Sequence, residues 1–524
     1  MPLPKTFPLL VATLVAASAV HAAEPRGAFL LRTARDTVMI ERFERGAREV
    51  SGAFVFKLAG ARFDYTLALL PDATVRSMTN AYRDASAAPD SPAKQSATID
   101  FVGDSAIATI RPGGVQRLAS QAGAIPFMNP SMVMVEQIVR RAFAIGGEHA
   151  SVPMFAVAGG RTIPVSVDRA GRDSVVLKLA GTEMRLAVDA DGALLGGTIP
   201  AQGLVIERLD TVPAGVLVMP RPDYSAPANA PYTAEEVSVT TRGGFALAGT
   251  LTRPSGGKAR VPAVVMITGS GAEDRDEKLP MVRDYRPFRQ VADALGRRGI
   301  AVLRMDDRGF GASGGKFSGA TSEDFAHDIE DALKWLRARP GIDGAHVAIA
   351  GHSEGGLVAP MVALADPTLR GIVLLAGPAY DGRRILEYQY AHMIEANGKP
   401  GPARRDSLLR AAMNQADSLG GSEVWIRYFM SYDPLPTARR VKVPVLILQG
   451  ETDRQVTPEQ AELLEKAFRE GGNRDVTRRM FPATNHLFVP DPSGAPEKYT
   501  ELPDSHVRPE VLAALGDWLK RRLK

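Results

Sequence analysis

A single serine stands among glycines in the segment AIAGHSEGGLVAP, which spans residues 348–360. The apolar residues before the serine predict a buried strand, and the residues from Gly355 onward predict a helix. The pattern G-x-S-x-G between a strand and a helix is typical of a sharp turn that presents a serine hydroxyl. Backbone N–H groups and the helix dipole favour negative charge at that point, so Ser353 is predicted to be a nucleophile. The alternative interpretation is an ordinary glycine-rich turn.

Short apolar runs alternate with amphipathic segments between residues 237 and 524. Predicted buried strands include residues 263–267, 300–305, 346–351, 371–377 and 443–450. Strands are continuously apolar when helices cover both faces of a sheet, so we predict an α/β fold with a doubly wound, mostly parallel sheet. Residues 378–441 interrupt this alternation with helical patches, which predicts a helical lid over the carboxyl ends of the strands.

Two later loops provide partners for the serine. A serine nucleophile needs a base, and the base needs an orienting carboxylate; both follow the serine on loops after later strands in this architecture. Asp453 lies just past a predicted buried strand, and His486 lies just past a short one. We predict that Ser353, Asp453 and His486 are the catalytic residues. Glu451 is the rival acid, because it lies nearer to the strand end, and His506 is the rival base.

The loop TGSG at residues 268–271 follows an earlier predicted strand. Its glycines let the backbone approach a substrate closely, although ordinary turn geometry is the alternative explanation for them. A developing oxyanion needs two N–H donors, one after the nucleophile and one from such a loop. We predict that the N–H groups of Ser270 and Glu354 form this oxyanion hole, with Gly271 as a further candidate.

The two neighbours of Ser353 are not its catalytic partners. Side chains joined through a tight turn splay apart, so His352 and Glu354 cannot form a relay with the serine hydroxyl. We expect Glu354 to act through its backbone N–H while its carboxylate orients a group in the cleft. His352 is expected to pack or to form a hydrogen bond beside the strand.

The segment GFGASG at residues 309–314 matches G-x-G-x-x-G directly after a predicted strand. A dinucleotide-binding loop opens straight into a helix, whereas Gly315 and Lys316 intervene here, and Phe317 stands where a phosphate-binding loop requires Ser or Thr. We therefore expect no cofactor. Because the chain has no cysteine, a thiolate metal site is excluded, and no metal is implied. Residues 307–309 are predicted to form a buttressing turn.

The first residues, MPLPKTFPLLVATLVAASAVHAAEP, combine one lysine, a mostly apolar run and a small-x-small site. This pattern predicts a signal peptide over residues 1–22, with a single-pass anchor as the alternative. No later stretch has the roughly 20 apolar residues that a span requires. A secreted chain without cysteine fits a bacterial periplasm, so we predict a periplasmic or secreted protein without a membrane span after signal removal.

Residues 23–218 have the two-residue periodicity of antiparallel strands, as in FVFKLAGARFDYTLALL at residues 54–70. One helix, capped by Ser131, interrupts them, and we find no chemistry in this domain. Residues 219–236 are rich in Pro and Ala, which predicts a linker. The 524 residues thus divide into two main domains, and a net charge of +4 without a basic run predicts no nucleic-acid partner.

Three phrases together match a known group: GSGAEDRD at 269–276, DDRGFGAS at 306–313 and GHSEGG at 351–356. With these phrases, residues 235–524 resemble the α/β-hydrolase superfamily, and in particular bacterial serine esterases with an extra N-terminal domain. The resemblance implies carboxylic ester hydrolysis with Ser353, Asp453 and His486 as nucleophile, acid and base. Thr268 departs from it, because many lipases and esterases have histidine at that place.

We therefore expect a serine carboxylesterase-type hydrolase that acts on a small-molecule ester through an acyl-enzyme. One alternative is a serine peptidase or aminopeptidase of the prolyl type, in which Arg275, Asp274 or acids of the lid anchor a peptide terminus. A second alternative is a non-catalytic envelope binding protein with a degenerate hydrolase domain.

Overall fold

The computed structural model describes most of residues 25–524. The segments outside the description are 34–36, 58–59, 88–90, 180, 211–216, 218–221, 257–259, 280–281 and 397. The predicted signal peptide lies outside the described residues and stays a prediction. The chain divides into two compact units, of which the first ends at residue 221 and the second is Pro222–Lys524.

The first unit is built on one large, mainly antiparallel sheet. Its described strands are β1 (Arg26–Arg32), β2 (Thr37–Arg45), β3 (Glu49–Phe56), β4 (Ala61–Leu69), β5 (Val75–Asp84), β6 (Gln95–Val102), β7 (Ser105–Arg111), β8 (Gly114–Ala119), β9 (Ile125–Phe127), β10 (His149–Ala156), β11 (Arg161–Arg169), β12 (Ser174–Leu179), β13 (Thr182–Val188), β14 (Leu194–Ile199) and β15 (Leu204–Leu209). The strand order is β8-β7-β6-β5-β4-β3-β2-β1-β15-β14-β13-β12-β11-β10-β9. Neighbours are antiparallel except β9 and β10. The antiparallel β prediction for this region is thus confirmed.

Helix α1 (Met132–Ile145) packs its apolar side on this sheet and shares its core. As predicted, Ser131 caps the helix, because its hydroxyl accepts a hydrogen bond from the Met134 N–H. The buried carboxylate of Glu41 lies at the same helix end and accepts hydrogen bonds from two first-turn N–H groups and from Tyr65. Burial raises the pKa of Glu41 to about 7. A carboxylate there satisfies backbone donors that the helix itself leaves without acceptors.

The second unit contains a mixed sheet of eight described strands. They are β16 (Tyr232–Thr240), β17 (Ala246–Pro254), β18 (Val261–Ile267), β19 (Ala301–Met305), β20 (Ile342–His352), β21 (Ile372–Leu375), β22 (Val445–Gly450) and β23 (Val476–Phe481). The order is β16-β17-β19-β18-β20-β21-β22-β23, with antiparallel pairing at β16, β17 and β19 and parallel pairing from there to β23. Strand β16 begins inside the segment predicted as a linker, because pairing with β17 outweighs the loop-like composition.

Helices cover both faces of this sheet. The described helices outside the lid region are α2 (Pro287–Gly296), α3 (Ser322–Arg337), α4 (Glu354–Ala365), α9 (Glu459–Glu470) and α10 (Pro509–Arg522). Alternate residues of the strands pack on α3, α4 and α9 on one face and on α2 and α10 on the other. The prediction of a doubly wound, mostly parallel sheet is confirmed, and it puts the site loops at the carboxyl ends of β18, β20, β22 and β23.

Four helices lie among the described residues between β21 and β22, where the sequence predicted an insertion. They are α5 (Gly382–Ala396), α6 (Pro402–Ser422), α7 (Val424–Ser431) and α8 (Pro434–Arg440). Helix α7 contacts α3, and α8 contacts α4. The indole N–H of Trp425 on α7 donates to Glu354, the first residue of α4, so α7 lies beside the carboxyl end of β20. Among the described helices of the whole chain, none is both long enough and apolar enough to cross a membrane.

Candidate active site

Ser353 occupies a strained turn between β20 and α4. Its φ of 52° and ψ of −118° lie where non-glycine residues are rare. The Ser353 N–H donates to the Leu375 carbonyl at 2.8 Å, and the Ser353 carbonyl accepts from the Gly356 N–H at 2.8 Å. Strand β21 and the first turn of α4 therefore hold the serine in this conformation.

The glycines on both sides of the turn are required by close backbone approaches. A Cβ on Gly351 would lie 2.0 Å from the Gly355 carbonyl oxygen, and a Cβ on Gly355 would lie 2.3 Å from the Ile267 carbonyl oxygen. Both distances are too short for any side chain. The turn is consequently pressed against the end of β18, where the predicted oxyanion loop begins.

His486 and Asp453 form a buried pair. His486 Nδ1 lies 2.8 Å from Asp453 Oδ2, and the two residues are only 4% and 2% exposed. The other oxygen, Oδ1, accepts the N–H groups of Gln455 and Val456 at 2.8 and 2.9 Å, and Gln449 donates to Oδ2 at 2.9 Å. A carboxylate accepts from Nδ1–H, so His486 Nε2 is the nitrogen left to act as a base.

The rival acid and base lie elsewhere. Glu451 is exposed, and its N–H pairs with the Phe481 carbonyl at the strand end. His506 is exposed and pairs with Asp504 at 2.6 Å, two residues away in the sequence. Among the acids and bases that the sequence suggested, Asp453 and His486 form a hydrogen-bonded pair.

The loop after β18 adjoins the nucleophile. A Cβ placed on Gly269 would lie 3.4 Å from the Cβ of Ser353. The Gly269 N–H donates to Glu277 Oε1 at 2.8 Å and to Glu273 Oε2 at 3.0 Å, so this amide points into the protein. Ser270 is the next residue along the loop.

Two further predicted oxyanion donors lie on this loop and at the start of α4. Gly271 follows Ser270 with φ of 109°, a conformation that favours glycine. Glu354 is the first residue of α4, where a helix supplies no acceptor for the backbone N–H. The assignment of Ser270, Glu354 and Gly271 to the oxyanion hole stays a prediction.

Acidic side chains hold the loop after β18, and the part that Glu273 takes in this was not visible in the sequence. Asp307 accepts hydrogen bonds from the Thr268 hydroxyl at 2.6 Å and from the Glu273 N–H at 2.9 Å. Burial raises the pKa of Asp307 to about 8. Burial, and then the neighbouring carboxylates of Glu277 and Asp307, raise the pKa of Glu273 well above its usual range. The phrase DDRG thus supplies the buttress that was predicted for it.

Two of the peptide anchors suggested by the sequence, Arg275 and Asp274, already have hydrogen-bond partners. Arg275 is 1% exposed, and its Nε and Nη2 each lie 2.9 Å from an oxygen of Asp306. Asp274 Oδ1 accepts the N–H groups of Asp276 and Lys278 at 3.1 and 3.0 Å. The expectation that Arg275 could anchor a peptide terminus is therefore wrong, because the buried Arg275–Asp306 pair fixes the loop instead.

His352 belongs to a buried network of its own, which the sequence did not reveal. Its Nδ1 lies 2.9 Å from Glu277 Oε1, and its Nε2 lies 3.0 Å from the main-chain oxygen of His486. Burial lowers the pKa of His352, but the Glu277 carboxylate and the His486 oxygen raise it more, so the net shift is upward. The expected hydrogen bonding of His352 beside the strand is present and connects two loops of the site.

The Glu354 carboxylate contacts the helical insertion. From the sequence we expect this carboxylate to orient a group in the cleft, and the group of the insertion that it contacts is the Trp425 indole. The carboxylate accepts the Ser322 hydroxyl at 2.5 Å and the Trp425 Nε1–H at 3.0 and 3.2 Å. Trp425, one of three tryptophans in the chain, stacks on Phe429 with ring centroids 5.3 Å apart. Burial raises the pKa of Glu354 to about 7.

The Glu354→Gln variant should change how stability depends on pH. A carboxyl whose pKa is about 7 when folded and about 4.5 when unfolded stabilises the fold while protonated, and this stabilisation is lost as the pH rises from 4.5 to 7. We expect the variant to gain on the order of 3 kcal/mol over the parent across that window, measured by urea unfolding at several pH values. Glu323→Gln, an exposed matched change on α3, should show no such trend. Parallel pH curves for parent and Glu354→Gln would contradict the prediction.

Within the described residues, no cluster of three or more His, Asp or Glu side chains is arranged to bind a metal ion.

Comparisons with known proteins match the chain to hydrolases. The family model "Serine aminopeptidase, S33" matches residues 281–403, which include the serine turn. Esterase EstD of Thermotoga maritima is 28% identical over 306 residues, covering 57% of this chain and 69% of that protein. Dipeptidyl aminopeptidase BIII of Pseudoxanthomonas mexicana is 26% identical over 235 residues, covering 44% of this chain and 31% of that protein.

Among solved structures, the Pyrococcus furiosus esterase Pf2001 aligns with a TM-score of 0.41 and 18% identity, over 58% of this chain and 96% of that one. The strand order and the serine turn define an α/β-hydrolase fold in the second unit, and the sequence matches make the chain similar to hydrolases of this fold. Among these it is similar to hydrolases of the carboxylesterase type.

Proposed function

We propose that this carboxylesterase-type hydrolase cleaves small carboxylic esters through an acyl-enzyme on Ser353. The observation that carries the proposal is the buried Asp453–His486 pair on loops that meet the strained serine turn. The contact between His352 and the His486 main chain at 3.0 Å ties the loop of the base to the residue before Ser353. The similarity to Esterase EstD supports the ester as the bond that is cleaved.

The acylation step follows from the roles of these groups. His486 Nε2 takes the proton of the Ser353 hydroxyl as Oγ attacks the ester carbonyl carbon. The N–H groups of Ser270 and Glu354 stabilise the oxyanion, each contributing roughly 3–4 kcal/mol. The tetrahedral intermediate then collapses, the bond to the alcohol oxygen breaks, and His486 Nε2–H protonates the departing alcohol.

Deacylation repeats the same chemistry with water. His486 takes a proton from water, the resulting hydroxide attacks the acyl carbon, and the same N–H groups hold the second oxyanion. Collapse releases the carboxylic acid and returns the proton to Ser353 Oγ. Asp453 stabilises the imidazolium in both halves of the reaction, and it keeps the ring in the orientation that both steps need.

A substrate panel tests the proposal against the peptidase alternative. We expect the protein to hydrolyse p-nitrophenyl esters of short acyl chains at least a hundredfold faster than matched aminoacyl p-nitroanilides, because Arg275, the basic group suggested as a peptide anchor, is buried against Asp306. Turnover is read as p-nitrophenol or p-nitroaniline release. Cleavage of the anilides without cleavage of the esters would overturn the proposal in favour of an aminopeptidase, in line with the matched family model.

A further inference from the structure

His352 precedes the proposed nucleophile in sequence, and its side chain is buried. The residue is 7% exposed and contacts two elements that are distant in sequence. Glu277, 75 residues earlier, lies on the Nδ1 side, and the His486 carbonyl, 134 residues later, lies on the Nε2 side. The rings of His352 and His486 are 4.8 Å apart between centroids, and the Phe488 ring packs at 6.0 Å.

The acceptor on the Nε2 side fixes one proton of this ring. A main-chain oxygen only accepts, so His352 Nε2 carries a proton toward His486. On the other side, Glu277 Oε1 lies 2.9 Å from Nδ1 and also receives the Gly269 N–H at 2.8 Å. One oxygen of this buried glutamate therefore contacts both His352 and the loop after β18. Glu277 in turn connects His352 to the oxyanion loop.

We propose that His352 is a positioning residue, and that with Glu277 it forms a brace that sets the oxyanion loop and the base against Ser353. The proposal rests on the proposed function. The brace spans from the Gly269 N–H through Glu277 and His352 to the His486 carbonyl, in three contacts of 2.8 to 3.0 Å. One end, Gly269, is next to Ser270, a predicted oxyanion donor, and the other end is the main chain of His486, the proposed base. Both groups must be placed correctly for the reaction.

Small displacements at either end have large kinetic effects. A misplacement of about 1 Å in a catalytic group costs on the order of a hundredfold in rate. His352 contacts Glu277 and the His486 main chain, so we expect its effect to appear in the chemical step and not in substrate binding.

Two matched substitutions separate the two ends of the brace. In His352→Gln the amide nitrogen occupies about the place of Nε2 and can still donate to the His486 oxygen. In His352→Asn the amide nitrogen occupies about the place of Nδ1 and keeps only the Glu277 contact. His346→Gln, on the same strand but bound to Asp343 near its start, is the control.

The readouts are the rate of labelling by a fluorophosphonate probe, the kcat and KM for a p-nitrophenyl ester, and the Tm. We expect His352→Asn to lose about 10- to 100-fold in kcat and in labelling rate with KM changed less than about twofold. His352→Gln should retain at least tenfold more activity than His352→Asn, and His346→Gln should match the parent. Adding Glu277→Gln to His352→Asn should cost less than the sum of the two single changes, because both act through one network.

The outcomes distinguish the brace from the proposed function. Labelling depends on the reactivity of Ser353 and not on the preferred substrate. If the parent protein is labelled normally but does not hydrolyse esters, only the ester assignment is overturned. Equal losses in His352→Gln and His352→Asn with a lowered Tm in both would assign His352 a packing role and overturn the brace. Unchanged labelling in His352→Asn would also overturn it.

Discussion

Replacing Ser353 with alanine should lower kcat/KM for a p-nitrophenyl ester by about four to six orders of magnitude and abolish labelling by a fluorophosphonate. The reason is that the acyl-enzyme requires an oxygen at the point where the turn between β20 and α4 projects it. The oxyanion loop and the His486–Asp453 pair remain in the variant, so a residual rate above that of water is expected. Initial rates and intact-protein mass measure the two effects.

Ser431→Ala is the matched control for this experiment. Ser431 is an exposed serine at the end of α7, and its hydroxyl donates to main-chain carbonyls of its own helix. We expect this variant to be labelled and to turn over like the parent. Stoichiometric labelling of Ser353→Ala would show that another residue is the nucleophile, and the assignment of the turn would then be wrong.

Replacing Asp453 with asparagine should lower kcat by about four orders of magnitude while the protein stays folded. Oδ1 accepts two backbone N–H groups, so the amide oxygen of asparagine will occupy that place and its NH₂ will face His486. An NH₂ group donates to Nδ1, which forces the proton onto Nε2 and removes the base. The same NH₂ would also face the side-chain NH₂ of Gln449, which donates to Oδ2 at 2.9 Å in the parent, so that two donors would oppose each other.

Glu451→Gln tests the rival acid with the same change of charge. Because Glu451 is exposed and bonds here through its backbone N–H, we expect its kcat to stay within about twofold of the parent. Steady-state kinetics of both variants, with circular dichroism to verify folding, decide between the two acids. A larger loss in Glu451→Gln than in Asp453→Asn would reverse the assignment.

The positions of Ser353, Asp453 and His486 could be predicted because each depends on local pattern. A parallel sheet collects the ends of its strands on one edge, so an apolar run followed by a chemically active residue is informative by itself. The hydrogen bonds that His352 and Glu354 make with distant residues could not be predicted in this way. His352 meets Glu277 over 75 residues and Glu354 meets Trp425 over 71, and neither separation has a periodic signature in the sequence.

The first unit shows the same limit at the level of the fold. Alternation of apolar and polar residues predicts antiparallel strands, and consecutive strands do pair along most of the sheet. The pairing of β1 with β15 joins the two ends of the unit, and no residue pattern distinguishes it from an open edge. Likewise, the start of β16 at Tyr232 depends on a partner strand that lies outside the Pro- and Ala-rich segment.

The positive φ of Ser353 has a consequence for how this enzyme can be improved. A serine held there costs on the order of 1–3 kcal/mol, which a glycine at the same position would not incur. The proposed nucleophile is thus also a local source of instability, compensated by the bonds from β21 and α4. Selection for heat resistance and selection for turnover therefore oppose one another at this position, and thermal robustness has to be gained in other parts of the chain.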